Sequence, residues 1–194
     1  MAAALKLGVQ EDIHQLAGKA CAHYTAAHAQ GVGVVVAAGI LAAEAVGAAA
    51  GLAYNQKVGA ESAVDINLAK QLNVVLTQLG VQAENVVMNV GSAAVGYGFE
   101  YVVSTMDRIK GAALSQDDKQ LQMPIITPVA DEAWNVKEAM ASEADMPEWG
   151  PAEDRGISME VQTAAAVLAS GSDAVILKHP KSVATISKMI KELM

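Results

Sequence analysis

Short apolar runs alternating with helical patterns are the feature of this sequence that most narrows its fold. The runs are "GVGVVVAA" at 31–38, a weaker one at 56–61, "ENVVMNV" at 84–90, "LQMPIITPV" at 121–129 and "DAVILK" at 173–178. Their length, β-branched content and flanking turn residues predict strands. Helical spacing fills the intervals. Ile13, Leu16, Ala17, Ala20 and Tyr24 predict a helix over 10–27, and a second covers about 40–53. A third has Leu68, Leu72, Val75, Leu76 and Leu79 on one face and stops at Gly80. Further helices line up Phe99, Val102, Val103, Met106 and Ile109, then Ile157, Val161, Ala164 and Leu168, and finally Val183, Ile186, Ile190 and Leu193. Residues 129–151 read as a long polar loop.

Such alternation predicts an α/β fold of parallel strands joined by helical crossovers, with both sheet faces covered. Two architectures satisfy it: an open doubly wound sheet, or part of an eight-stranded barrel. Both gather ligands at the carboxyl ends of the strands. The loops to inspect are therefore "AAG" near 37, "ESAVDINLAK", "MNVGSAAVGYG", "TPVADEAW" through "DRG", and "LKHPK".

Charge and composition exclude several functions. A net charge of −8 without a basic stripe argues against nucleic acid. No apolar run reaches the roughly 18 residues of a membrane span, and the opening "MAAALKLGVQED" does not resemble a secretory signal. Cytoplasm and one domain over 1–194 are the expectations. The single Cys21 has no thiol partner, so neither a disulfide nor a cysteine-ligated iron–sulfur cluster can be built from this chain. His14, His23, His28 and His179 lack metal-ligand spacing, so no intrinsic metal is expected.

Local chemistry accounts for part of each loop. Ser62 followed by Asp65 reads as a start resembling a capping box. Gly96 and Gly98 let the chain turn into its helix, with Glu100 serving the dipole. Pro180 suits a first helical position. Met88, Met106, Met123 and Met159 read as core filler. Tyr97, between two glycines, has little to pack on locally, and Trp134 and Trp149 lie in an acidic loop expected to fold over something.

The motifs "VDINLAKQLN", "AAVGYGFEYVVSTMDRI", "QMPIITPVADEAWNVKEA", "PEWGPAEDRGI" and "AVILKHPKSV", in that order, resemble the delta subunit of the acetyl-CoA decarbonylase/synthase complex. Its bacterial counterpart is the small subunit of the corrinoid iron–sulfur protein. The resemblance covers about 44–194 and is weaker over 1–43. It implies the carboxyl-terminal five βα units of a TIM barrel, partial or open, paired with a large (gamma) subunit that carries an iron–sulfur cluster and a corrinoid. A methyl group would pass from a methyl-tetrahydropterin through the cobalt centre to the nickel site of acetyl-CoA synthase. This chain would be non-catalytic.

By the same resemblance, Asp65, Asn67, Asn89, Gly96, Tyr97, Gly98, Glu132, Trp134, Lys137, Trp149, Arg155 and His179 would lie at or near the corrinoid face. Where the family carries an acidic residue and a proline, this chain has Asn89 and Val90, and Lys178 stands for an arginine. An amide drops the negative charge, and lysine cannot copy an arginine fork. The three amino-terminal strands of the family barrel are missing, which would leave sheet edges to be covered by a partner or by a second copy in a homo-oligomer. Two other readings are a pterin-dependent methyltransferase barrel acting by itself and a degenerate paralogue that binds nothing.

Overall fold

The computed structural model describes residues 3–5, 34–38 and 41–193, and the helix expected over 10–27, with Cys21, His14, His23 and His28, lies outside them. Strand β1 (Ala3–Leu5) comes first, followed by β2 (Val34–Ala38), α1 (Leu41–Tyr54), β3 (Lys57–Glu61), α2 (Ile66–Gln78) and β4 (Val86–Asn89). After these come α3 (Phe99–Ser115), β5 (Ile126–Pro128), the short α4 (Val129–Trp134) and α5 (Lys137–Met140), α6 (Ala152–Ala169), β6 (Ala174–Leu177) and α7 (Pro180–Leu193). All five strands expected from the apolar runs form where expected. The chain is a mixed α/β structure.

Strands β2, β3 and β4 pair in parallel, with Val36 opposite Gly59 and Gly59 opposite Val87. Strand β5 pairs in parallel with β6, and β1 lies antiparallel along the other side of β6. A single parallel bridge, Met88 to Ile125, joins the two sets, with the Met88 N–H donating to the Pro124 carbonyl at 2.8 Å. Pro124 and Pro128 bracket this junction and bring no N–H of their own, which keeps the ladder short. From β2 to β6 spatial order thus follows chain order. The reversal that defines a doubly wound sheet does not occur among these strands.

Every residue of β4 and β6 is buried, as strands covered on both faces must be. One face of the strands packs Val86, Met88, Ile125, Val175 and Leu177 against Leu72 and Leu76 of α2, Met106 and Ile109 of α3, Val167 of α6 and Ile186 of α7. A second cluster, Val87, Ile126, Ala174 and Ile176, consists of strand residues alone. Helix α2 ends where Gly80 takes a φ of 99°, a conformation glycine adopts without steric cost.

The polar loop expected over 129–151 is corrected by α4, α5 and a turn of 3-10 helix at Pro147–Trp149. Helices of six and four residues are too short to register in a periodicity window. Local signals existed: Asp131 and Glu132 fall in the first turn of α4, where acids favour the helix dipole, and Val129, Ala130 and Ala133 supply a small buried face.

Leu76→Ala, in the main core, is expected to lower unfolding free energy by about 2–5 kcal/mol. Leu114→Ala, at a side chain 83% exposed, should stay within about 0.5 kcal/mol. Urea unfolding of both variants measures the difference, and equal losses would contradict this assignment of the core.

Candidate functional site

Because β3, β4, β5 and β6 run the same way, the loops after them share one end of the sheet. After β3, Ser62 N–H donates to Asn89 O at 2.9 Å and Val64 N–H to Val90 O at 2.8 Å, tying this loop to the next. Ala63 and Val64 both take positive φ, 45° and 59°, which costs a β-branched residue conformational energy. Thr105 Oγ1 holds Val64 from the far side by donating to its carbonyl at 3.1 Å. The two left-handed residues delay the helix, so Asp65, and not Ser62, caps α2, accepting from Asn67 N–H at 2.8 Å and Leu68 N–H at 3.2 Å. The Ser62 start is therefore corrected, and among the described residues the Ser62 hydroxyl is buried without a partner. Asn67 is exposed and enters this network through its main chain.

Asn89 ends β4 only 6% exposed, its Oδ1 accepting from Gly91 N–H at 3.0 Å. That turn needs an acceptor and no charge. Gly96 and Gly98 take φ of 86° and 87°, and Gly98 caps α3. Between them Tyr97 stays 47% exposed and donates from Oη to Glu138 Oε2 at 2.7 Å. Val95 N–H donates to Thr163 Oγ1 of α6 at 3.2 Å.

Arg155 of α6 pins the segment after β5. Its Nε, Nη1 and Nη2 donate to the carbonyls of Gly150, Glu138 and Ala141 at 3.1, 2.5 and 2.7 Å. Its guanidinium lies 5.8 Å from the centre of the Trp149 ring, and Lys137 Nζ lies 5.6 Å from it, both within cation–π range. Glu138, Trp149, Arg155, Ser158, Met159 and Gln162 line an open cavity of about 350 Å³. Tyr97, Lys137, Trp149 and Arg155 are thus brought together.

Trp134, the last residue of α4, and His179, between β6 and α7, form a second group beside α6. Their rings stack 5.8 Å apart at 26°, with Lys178 Nζ 5.5 Å from the Trp134 ring. The indole lies against Gly156, where an added Cβ would fall 2.6 Å from Trp134 Cη2. Among the described residues its Nε1 finds no acceptor. His179 Nε2 is 3.3 Å from Glu153 Oε1. Glu132 joins neither group; desolvation first, then the charge of Asp131, raises its pKa. Sequence reasoning missed Glu138, Glu153 and Glu160. Glu160 left a signal, an acid sharing the buried helical stripe of Gly156, Thr163 and Val167.

The Tyr97 bond raises the phenol pKa above its ordinary 10.0 and lowers that of Glu138 below its ordinary 4.5. A depressed carboxyl contributes stability above its unfolded value and loses it as pH falls through the folded one; a raised phenol contributes below its unfolded value and loses it as pH rises. The contact therefore acts between those limits. Tyr97→Phe should raise the Glu138 titration toward the ordinary glutamate range in side-chain carboxyl NMR, and a Glu138 whose titration does not move would refute the pairing.

Among the described residues no helix is long and apolar enough to cross a membrane. Residues 20–189 match the family model of the CO dehydrogenase/acetyl-CoA synthase delta subunit. Delta subunit 2 of the acetyl-CoA decarbonylase/synthase complex of Methanosarcina acetivorans is 33% identical over 152 residues, 75% of this chain and 34% of that protein. The delta subunit of that complex in Methanopyrus kandleri is 39% identical over 128 residues, 66% of this chain and 31% of its own, and that of Archaeoglobus fulgidus 31% over 144, 72% and 31%. The chain spans about a third of the length of these relatives. The five motifs that carried the resemblance lie on the strand-end loops just described and the helices around them, and with a match over most of its length this chain belongs to the family of the CO dehydrogenase/acetyl-CoA synthase delta subunit.

Proposed function

We propose that this chain is a non-catalytic part of a delta-type subunit, forming one wall of a corrinoid site completed by an iron–sulfur corrinoid large subunit. The complex would move a methyl group from a methyl-tetrahydropterin to the nickel site of acetyl-CoA synthase. One observation carries the reading: loops from four successive parallel strands are bonded to one another or to α6 at one end, where Trp149 meets Gln162 of α6 across an open cavity and Tyr97 is held beside it by Glu138 of the lining. Family membership supplies the complex. Strand order following chain order, with a cluster built of strand residues alone, supports five consecutive βα units of a TIM-type barrel facing its own interior.

The residues suit a corrinoid only as a shared ligand. A cavity of about 350 Å³ is near the lower end of sites that enclose drug-sized molecules, roughly 300–1,000 Å³. A corrinoid is much larger and would rest an edge here. Tyr97 and Trp149 offer flat apolar faces, Gly96 leaves open space beside the backbone, and Ser158 and Gln162 offer hydrogen-bonding groups that suit peripheral amides. Lys137, Arg155, Asn89, Trp134 and His179 would support that rim, while Asp65, Asn67 and Glu132 would stand at its edge. Bound, the group would supply a cobalt centre able to accept and release methyl. This chain's own work would be to orient the macrocycle and exclude water.

Co-expression with a corrinoid iron–sulfur large subunit should yield a co-purifying complex with a cobalt-corrinoid absorption spectrum. Tyr97→Ala and Trp149→Ala should each weaken corrinoid retention roughly 2- to 10-fold, the equivalent of an aromatic contact worth about 0.5–1.5 kcal/mol, with circular dichroism unchanged. A monodisperse chain that ignores both the large subunit and cobalamin would overturn the proposal.

A further inference from the structure

We infer that Glu160 is a positioning residue: its buried carboxylate fixes the turn from β6 into α7, and through that turn the stack of His179 and Lys178 on Trp134. Glu160 lies in the middle of α6 with no exposed surface. Oε1 accepts from Lys178 N–H at 2.5 Å and Oε2 from His179 N–H at 3.2 Å. A carboxylate is costly to bury unless donors meet it. Here both oxygens are met by main chain, so the acid side chain and the turn specify each other.

The electrostatics of α7 point the same way. That helix has no acid in its first turn and places Lys181 there, the unfavourable sign for the positive end of a helix dipole. The missing charge comes from α6. Glu153 and Glu160 are two turns apart on one face, and Glu153 Oε1 lies 3.3 Å from His179 Nε2 and 3.4 Å from Lys181 Nζ. Of the two, Glu160 is the buried one and reaches the backbone itself. The His179 ring is held from both sides, since Lys181 N–H donates to its Nδ1 at 3.2 Å while Nε2 faces Glu153. Fixing the backbone at Lys178 and His179 therefore sets where both side chains meet the indole.

The geometric claim stands apart from corrinoid binding, and only its use in holding a cofactor rests on the reading above. The test uses the full 194-residue chain labelled with fluorotryptophan, whose two tryptophans give separate fluorine resonances, assigned by Trp149→Phe. Glu160→Gln turns one acceptor into a donor and should move the Trp134 resonance and the His179 imidazole nitrogen shifts while the Trp149 resonance stays. Gly156→Ala, whose Cβ would strike the indole, calibrates a displaced Trp134. Asn73→Ala, which removes a buried amide donating to Gln120 O at 2.6 Å, should lower the melting temperature and leave Trp134 alone. Should Glu160→Gln not fold, hydrogen exchange on the unsubstituted chain decides, with the Lys178 and His179 amides expected to exchange about 100-fold slower than exposed loop amides. An unmoved Trp134 resonance in folded Glu160→Gln, or loop-like exchange at those two amides, would overturn the inference. Corrinoid retention is not among the readouts, so its failure would count against the proposed function and leave this result intact.

Discussion

Irregular backbone at the end of a parallel sheet has to find partners for its polar groups, and side chains of α6 supply six of them here. Thr163 takes the Val95 N–H, Arg155 donates to the carbonyls of Gly150, Glu138 and Ala141, and Glu160 takes the N–H groups of Lys178 and His179. One helix thus satisfies segments that follow three different strands. Its buried stripe runs Gly156, Glu160, Thr163, Ala164, Val167, so the groups that organise the loops and those that pack the core share a face. The geometry of the loop end is inherited from a rigid element, which is how loops come to hold ligands at fixed positions.

Different physical causes made parts of this molecule legible in sequence and hid others. Strands β4 and β6 were legible because strands buried on both faces must be continuously apolar, and α2, α3 and α7 because a helix over a sheet needs an apolar stripe. Helices α4 and α5 were hidden by their brevity. The start of α2 was misplaced by a backbone event, two consecutive residues with positive φ, that no side-chain pattern announces at Ala63 and Val64. The site was legible as loops and aromatic residues, and hidden as pairings. Nothing local to Tyr97 predicts Glu138, which is 41 residues away, and Trp134 meets His179 only because β5 and β6 are neighbours.

Asn89 and Lys178, where the resemblance implies an acid and an arginine, each make contacts of their own. Asn89 spends its Oδ1 on Gly91 N–H, a contact that an amide makes as well as a carboxylate does. Lys178 lays its ammonium over Trp134 as a point charge, leaving that ring without the planar stacking an arginine would bring. An amide at 89 brings no negative charge to its loop, and a lysine at 178 brings a positive charge without the planar fork.

The left-handed pair at Ala63 and Val64 makes tolerance to change lopsided at the mouth of α2. Glycine or asparagine would sit there more comfortably, by roughly 1–2 kcal/mol per residue, so a gain in thermal resistance is within easy reach of mutation. Made at position 64, such a change would remove the half-exposed valine methyls that the hydrogen bonds to Val90 and Thr105 hold at the mouth of α2, and durability at this spot would then be bought with a smaller apolar surface.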